Sequence, residues 1–292
     1  MRVFVTGATG FIGSPLVREL IDAGHQVLGM ARSDTGAQAL IAAGAEVHRG
    51  DLTDLESLRS GAATADAVIH TAFIHDFSKF KENCEVDKRA IEALGQALAG
   101  SNRPLLVTAG IGALAPGRLA TEEMEAIFNP ALPRVSEQTG LAQIALGVNV
   151  SVMRLPQVHD PVKQGLITHS VQLAREKGIS AYIGSGQNRW AAAHVLDVAH
   201  LYRLALEKHE SGARYHAVTE EGVSMREIAE VIGRGLKVPV VSLSPEEAPA
   251  HFGWLAFLAA VDMPASSAQT REKLGWNPTG PGLIADLEKI RY

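Results

Sequence analysis

The chain has 292 residues, of which 46% are hydrophobic and 20% charged, and its formal net charge is −5. This size suffices for one or two domains around a large core, and the negative charge argues against a nucleic-acid or anionic-membrane surface. The single cysteine, Cys84, excludes a disulfide framework and a thiolate metal cluster. Because no signal peptide and no apolar stretch of about 20 residues is apparent, we expect a cytoplasmic protein without a membrane-spanning segment.

Short strands and helices alternate along the first half of the chain, a pattern typical of a doubly wound parallel sheet. The predicted strands cover 1–6, 26–30, 45–48, 67–71, 105–108 and 148–154. The first predicted helix opens at Ser14. The others cover 35–43, a short segment that starts at a capping box of Thr53 and Glu56, then 82–99 and 136–146. The sequence therefore predicts an α/β fold.

Proline and glycine interrupt this alternation in the second half. A helix at 196–208 and a strand at 215–218 are predicted to return to the sheet. We expect a dinucleotide-binding domain at 1–155 with a return segment at about 187–218, and a smaller C-terminal substrate lobe at 156–186 and 219–292. Ligands of such sheets bind at the carboxyl ends of the strands, so the residues that follow each strand are the candidates for chemistry.

A glycine-rich turn follows the first strand, where residues 6–13 read T-G-A-T-G-F-I-G. The order of strand, glycine turn and helix is the context of a dinucleotide fingerprint. Gly7 allows the tight turn, Gly10 lets a pyrophosphate approach the backbone, and Gly13 lets the helix pack on the strand. The helix N-terminus supplies N–H groups and a positive dipole end for the phosphates. The sequence thus predicts a Rossmann-type cofactor site.

With this turn and four further motifs, the chain resembles the extended and atypical short-chain dehydrogenase/reductases, also described as NAD-dependent epimerases/dehydratases. The further motifs are G-D-L at 50–52, R-L-P-x-V-H at 154–159, H-V-L-D-V-A at 194–199 and L-G-W-N-P at 274–278. The resemblance implies a nicotinamide cofactor and a small-molecule substrate. Many members of this family pair through two long helices, so a homodimer is compatible with the resemblance.

The cofactor is expected to be NADP(H) rather than NAD(H). Sites for NAD place a carboxylate at the end of the second strand, where this chain has Ala31 followed by Arg32 and Ser33. An arginine beside a hydroxyl suits a 2′-phosphate, and Asp34 is a mild counter-signal. The predicted cofactor contacts, several of them implied by the resemblance, are Thr6, Gly7, Thr9, Gly10, Phe11, Ile12, Gly13, Arg32, Ser33, Asp51, Leu52, Thr71, Ala72, Phe73, Leu155, Pro156 and Val158.

The catalytic centre departs from the pattern of the family it resembles, whose members use a Ser or Thr after the fifth strand and a Tyr-x-x-x-Lys motif. Thr108 matches the hydroxyl position, but Pro133 and Glu137 stand where tyrosine and lysine are expected. No tyrosine occurs between residues 1 and 181, and Asp87 takes a position that is often asparagine. The candidates for catalysis are Thr108, which would hold the acceptor atom, together with Ser136 and Glu137.

Two hypotheses follow from this departure. Hydride transfer needs only a bound nicotinamide and a positioned acceptor. The first hypothesis is therefore a reductase of a carbonyl or imine in a small apolar molecule, with a non-standard proton donor. The candidates for this donor are Arg134, Ser136, Tyr182, His75, Asp76 and water. The alternative is a catalytically silent NADP(H)-binding regulator. An epimerase or dehydratase is a further option, but that chemistry usually relies on the missing tyrosine.

Substrate contacts are predicted for His75, Tyr182, Asn188 and Trp190. His75 follows the fourth strand, and the other three belong to an aromatic and polar group around a glycine break, which suits either a pocket or a packed connection between lobes. His70, His75 and Asp76 lack the ligand spacing of a metal site, so no metal is expected.

Overall fold

The computed structural model describes residues 1–112, 114–130 and 132–292. Its strands are β1 (Arg2–Thr6), β2 (Gln26–Ala31), β3 (Glu46–Arg49), β4 (Ala67–His70), β5 (Pro104–Gly110), β6 (Asn149–Leu155), β7 (Gln157–His159), β8 (Ser180–Ile183), β9 (Arg189–His194), β10 (Arg214–His216), β11 (Glu220–Ser224) and β12 (Val240–Leu243). Seven of them form a parallel sheet in the order β10-β6-β5-β4-β1-β2-β3. The order reverses beside β1, so the carboxyl ends of β1 and β4 flank the crevice where an open α/β sheet binds its ligand.

Helices cover both faces of this sheet. The α-helices of the described residues are α1 (Gly13–Asp22), α2 (Asp34–Ala42), α3 (Leu55–Ala63), α4 (Phe80–Leu98), α5 (Ser136–Ala142), α6 (Ile167–Lys177), α7 (Val195–Lys208), α8 (Met225–Leu236), α9 (Ala248–Phe252), α10 (Ala256–Ala260), α11 (Ala268–Leu274) and α12 (Leu283–Leu287). Apolar residues of α1, α2 and α7 pack on one face, and those of α3 and α4 on the other. Strands buried on both faces are the reason for the continuous apolar runs in the sequence.

The prediction of an α/β, Rossmann-type doubly wound sheet is confirmed, with local corrections. The capping box of Thr53 and Glu56 is wrong: Asp54 caps α3 by accepting from the Ser57 amide, while Thr53 donates to Asp51. The helix predicted at 136–146 becomes a 3₁₀ turn after Ala142. The last sheet strand covers Arg214–His216 and not 215–218, although the Ala217 amide still donates to the Arg154 carbonyl of β6 at 3.0 Å.

The second half of the chain builds two small sheets, β11-β9-β7 and β12-β8, around a separate apolar core that includes Ile167, Trp190, Ile228 and Phe252. The segment predicted to return to the main sheet divides. β9 pairs with β7 and β11, whereas α7 packs on α1 and β10 pairs with β6. The partition into a nucleotide domain and a substrate lobe stays a prediction. Among the helices of the described residues, none is long and apolar enough to cross a membrane.

Candidate active site

The glycine turn after β1 is tightly packed. Gly7 has a φ of +69°, and a Cβ there would lie 2.8 Å from both the Ala72 amide nitrogen and the Thr71 hydroxyl. A Cβ at Gly13 would collide with the Gly7 carbonyl, so α1 approaches the turn at a distance that glycine alone permits. The Thr71 hydroxyl and the Ala72 amide in turn donate to the Thr6 carbonyl and hydroxyl, at 2.8 and 3.4 Å. These bonds fix the ends of β1 and β4 against each other.

The helix N-terminus at this turn has the features of a phosphate site. Ile12 occupies the N-cap position and gives α1 no side-chain hydrogen bond. At Gly10, which is exposed, a Cβ would meet only the Gly7 carbonyl within 4 Å. Unpaired N–H groups at a helix N-terminus and an open approach over glycine suit a pyrophosphate. The Gly10 amide donates to the Gly7 carbonyl at 2.8 Å, so the residues fit a nicotinamide dinucleotide that Phe11 and Ile12 would hold through their backbone N–H groups beside the open approach at Gly10.

The end of β2 presents one exposed cation to the crevice edge. The Arg32 side chain is 73% exposed, and its guanidinium lies 3.6 Å from the Asp51 carboxylate. Ser33 caps α2 by accepting from the Gly36 amide, which leaves its hydroxyl proton available. Asp34, the counter-signal in the sequence, pairs with Arg49 at 2.5 Å. Both ion pairs are exposed to solvent, but Asp34 contacts its partner directly, whereas Arg32 lies 3.6 Å from Asp51.

The remaining predicted cofactor contacts lie on β6 and β7, between these two strands, and in the loops that follow β1 and β3. Thr9 is exposed beside α2, and Leu52 is buried in the core under α3. Leu155 ends β6, Pro156 connects it to β7, and Val158 is buried on β7. Their contacts with a cofactor stay predictions.

Thr108 is buried on β5, and its hydroxyl is engaged inside the protein. It donates to the His70 carbonyl at 2.6 Å and lies 2.6 Å from the Tyr202 hydroxyl on α7. Because the single Thr108 proton is used on His70, Tyr202 must donate to Thr108. Burial raises the pKa of Tyr202, against the smaller lowering effects of the Thr108 bond and the Arg134 charge, so this phenol keeps its proton. The expected role of Thr108 as a donor to a substrate stays a prediction, but it would require these bonds to rearrange.

A buried hydrogen-bonded chain leads from β1 to the start of α5. The Thr6 hydroxyl lies 2.8 Å from His70 Nδ1, and His70 Nε2 lies 3.2 Å from Asp87 Oδ1. The other Asp87 oxygen accepts from the Ser136 hydroxyl at 2.5 Å, and Ser136 accepts from Arg134 Nε at 2.7 Å. Burial acts to raise the pKa of Asp87, but the Arg134 charge and the bonds from His70 and Ser136 outweigh it and hold this pKa below its usual value.

Arg134 connects this hydrogen-bonded network with the crevice. Its guanidinium lies 4.1 Å from the centre of the Phe73 ring, 3.5 Å from the Asp87 carboxylate, and donates to the Thr108 carbonyl at 3.2 Å. Its Nη1 group makes no hydrogen bond with any residue that the structure describes, and the side chain is 24% exposed. A planar cation is therefore fixed at the carboxyl end of β5 with donors to spare.

Glu137 faces away from this network, although it directly follows Ser136. Arg154 forms a fork with both Glu137 oxygens at 2.7 and 2.6 Å, and Arg214 donates to one of them at 2.8 Å. Burial acts to raise the pKa of Glu137, but the two arginines outweigh it and lower the pKa. This carboxylate joins α5 to β6 and β10, an arrangement that supports a structural role rather than the catalytic one expected from the sequence.

Aromatic side chains line the crevice beyond Phe73. His75 lies edge-on to Phe73 and Phe77, at 5.3 and 6.1 Å between ring centres. Phe77 in turn stacks on Trp254 at 4.0 Å with an interplanar angle of 8°, and His169 meets both rings edge-on. Reduced hydration, reinforced by the nearby charges of Arg134 and Lys163, lowers the pKa of His75, so its ring is neutral near pH 7. Of the predicted substrate contacts, His75 is the one placed beside Arg134.

The other predicted substrate contacts are used inside the second half of the chain. Trp190 is buried and donates to the Leu258 carbonyl at 3.2 Å. The Asn188 amide donates to the Ala259 carbonyl at 2.8 Å, and Tyr182 lies under the Arg226 guanidinium at 5.8 Å. These contacts correspond to the packed connection that the sequence left open, and a substrate role for the three residues stays a prediction.

Sequence reasoning missed Lys163, Phe77, His169 and Trp254. Lys163 follows Pro161 in the loop after β7, a loop of the kind that reaches the crevice, so its position was a usable signal. Nothing local indicates that Trp254 stacks on Phe77. Within the described parts of the chain, no three His, Cys, Asp or Glu residues are grouped to hold a metal ion.

Comparison with known proteins identifies the family. The model of the NAD dependent epimerase/dehydratase family matches residues 3–94. An uncharacterized protein of Schizosaccharomyces pombe is 48% identical over the whole of both chains, and one of Saccharomyces cerevisiae is 44% identical over 98% of each. A ketoreductase of Stigmatella aurantiaca, named for a farnesyl-dihydroquinoline oxide, is 25% identical over 91% of this chain and 84% of its own. The chain belongs to the NAD dependent epimerase/dehydratase family.

Solved structures with the same fold include proteins of this kind. The dTDP-glucose 4,6-dehydratase DesIV of Streptomyces venezuelae, solved with NAD bound, superposes with a TM-score of 0.77 at 18% identity, over 100% of this chain and 96% of that one. The extended short-chain dehydrogenase/reductase fold is therefore shared. The family and such neighbours support a nicotinamide dinucleotide cofactor and an oxidoreductase, epimerase or dehydratase type of activity.

Proposed function

We propose that the protein is an NADP(H)-dependent reductase of a carbonyl or imine group, with Arg134 as the residue that polarises the acceptor. The observation that carries this proposal is the placement of Arg134: a fixed guanidinium with free donors, at the carboxyl end of β5 beside Phe73. The relative named as a ketoreductase supports reduction of a carbonyl. Preference for NADP(H) is supported by the exposed Arg32, the available Ser33 hydroxyl and the engagement of Asp34 with Arg49.

The chemistry divides between cofactor and protein. The glycine turn after β1 would hold a nicotinamide dinucleotide, whose chemistry when bound would be hydride donation to the carbonyl carbon, with the π electron pair of the carbonyl passing to its oxygen. Arg134 donates hydrogen bonds to that oxygen as negative charge develops, and its delocalised charge is pre-positioned by Ser136, Asp87 and the Thr108 carbonyl. Because a guanidinium does not deprotonate in proteins, the product hydroxyl takes its proton from water in the crevice.

The test is NADPH oxidation with a panel of aldehydes, ketones and imines. We expect Arg134→Gln to lower kcat about 10²- to 10³-fold, the range for loss of one oxyanion donor, while NADPH binding is retained. Arg118→Gln is the matched control, because Arg118 is an exposed arginine on the loop after β5. Full activity of folded Arg134→Gln would refute the assignment.

A catalytically silent NADP(H)-binding regulator is the second candidate. The observation in its favour is that the hydroxyls of Thr108, Ser136 and Tyr202 all make internal hydrogen bonds. If NADPH binds but no carbonyl or imine compound of the panel is reduced, this candidate replaces the reductase.

A further inference from the structure

Two cations reach the crevice from different segments of the chain. Arg134 lies two residues before α5, and Lys163 lies in the loop between β7 and α6. The Lys163 ammonium sits 5.6 Å from the centre of the Phe11 ring on the glycine turn, and both cations lower the pKa of His75 between them. The part of the crevice around His75 is therefore positive, although the whole chain has a net charge of −5.

The carboxylates of the surrounding segments leave Lys163 without a partner. Asp87 is buried and engaged with His70, Ser136 and Arg134. Asp76 accepts from the amide and hydroxyl of Ser78, and Asp160 accepts from the amides of Val162 and Lys163 in its own loop. The Lys163 ammonium forms no ion pair or hydrogen bond with any residue that the structure describes.

A series of aromatic rings begins beside Arg134. Phe73 lies under Arg134, His75 follows, and Phe77 stacks on Trp254. Such a surface favours an apolar ligand body, whereas Arg134 and Lys163 favour negative charge. Small-molecule sites combine these two features when a few polar groups orient a mostly apolar ligand.

We propose that the substrate is an oxo acid, an apolar carbonyl compound whose carboxylate is bound by Lys163 while Arg134 binds the carbonyl oxygen. This inference rests on the proposed function and adds the substrate class. Reduction of the carbonyl leaves the carboxylate unchanged, so the product is the corresponding hydroxy acid.

The test compares benzoylformate with its neutral methyl ester, in NADPH turnover and in calorimetric titration of the NADPH complex. For the wild-type protein we expect a preference for the acid. In Lys163→Gln, kcat/KM for the acid should fall about tenfold or more, the loss expected for one hydrogen bond to a charged group, and the value for the ester should not change. Lys81→Gln removes the same charge from an exposed lysine of α4 and is expected to have no effect.

The outcomes separate this inference from the proposed function. Equal use of acid and ester by the wild-type protein would overturn the oxo-acid assignment and leave the reductase intact. A Lys163→Gln variant with weaker NADPH binding and an unchanged acid preference would assign Lys163 to the cofactor phosphates and overturn it as well. Lys163-dependent binding of benzoylformate without reduction of any carbonyl compound would refute the reductase and support the anion site. If neither compound binds or reacts, the oxo-acid assignment fails.

Discussion

Replacement of Glu137 by glutamine tests whether this residue acts in catalysis or in the core. The carboxylate side chain is 4% exposed, and that of its partner Arg154 is 1% exposed. Removal of the negative charge leaves the buried Arg154 guanidinium without its counter-ion, a change that typically costs about 3–5 kcal/mol. Because glutamine keeps one carbonyl acceptor for the fork, we expect the free energy of unfolding to fall by about 3 kcal/mol.

The assay is urea denaturation at pH 7, with Glu125→Gln as the matched control. Glu125 is also near Arg214, at 3.9 Å, but its side chain is 83% exposed, so its removal should cost less than about 1 kcal/mol. Titration with NADPH should give the same affinity for folded Glu137→Gln as for the wild-type protein. Equal stability of the two variants, or selective loss of NADPH binding in Glu137→Gln, would refute the structural role.

The stability of Glu137→Gln should also depend on pH differently from that of the wild-type protein. A carboxyl group whose pKa is lowered by folding stabilises the protein above its unfolded pKa, near 4.5 for glutamate, and loses that contribution as the pH falls through the lower folded pKa. The wild-type free energy of unfolding should therefore decrease below about pH 4.5 more steeply than that of Glu137→Gln. The difference in slope is at most about 1.4 kcal/mol per pH unit for one proton. Parallel curves would contradict this reasoning.

Three further predictions concern the crevice. Asp87→Asn should lower kcat about tenfold with unchanged NADPH affinity. In the double variant with Arg134→Gln, kcat should fall little further, because both changes disable the same Asp87–Arg134 ion pair. Steady-state kinetics of the double-mutant cycle tests this coupling, and additive losses of activity would contradict it. Thr108→Val should lower the free energy of unfolding by about 1–3 kcal/mol, since the buried Tyr202 hydroxyl loses its acceptor; a folded variant without turnover would instead support the substrate role expected from the sequence. Arg32→Ala should weaken NADPH binding about tenfold and leave NADH binding unchanged in fluorescence titrations, whereas equal effects on both would remove Arg32 from cofactor selection.

The sheet and the glycine turn could be predicted because their signals are local. Strand and helix periods occupy a few residues each, and the spacing of Gly7, Gly10 and Gly13 follows from one turn of backbone. The two small sheets of the second half could not be predicted in the same way. β7 has only three residues, too few for a periodic pattern, and the pairing of β9 with β7 and β11 depends on contacts that no local pattern displays.

The roles of individual site residues depend on long-range contacts that the sequence does not display. Thr108 matches a family position, yet its hydroxyl meets Tyr202, 94 residues further on. Glu137 meets Arg214, 77 residues further on, while its neighbour Ser136 joins the opposite network. Consecutive residues at the start of a helix point in different directions, so a shift of one position in an alignment exchanges a core residue for a crevice residue.

Two residues of the network near the start of α5, Asp87 and Arg134, carry opposite charges that compensate each other. Arg134 would be destabilising at the end of β5 without a nearby anion, and Asp87 would be destabilising when buried without donors. Together with Ser136 they form an ion pair bridged by a hydroxyl, with His70 as the second donor to the carboxylate. Arginine stabilises an oxyanion but cannot transfer its proton, so in the proposed reductase this unit would replace the electrostatic part of a tyrosine acid and leave protonation to water. If Arg134 stabilises the oxyanion, kcat should not decline at alkaline pH in the way that deprotonation of a catalytic tyrosine would cause.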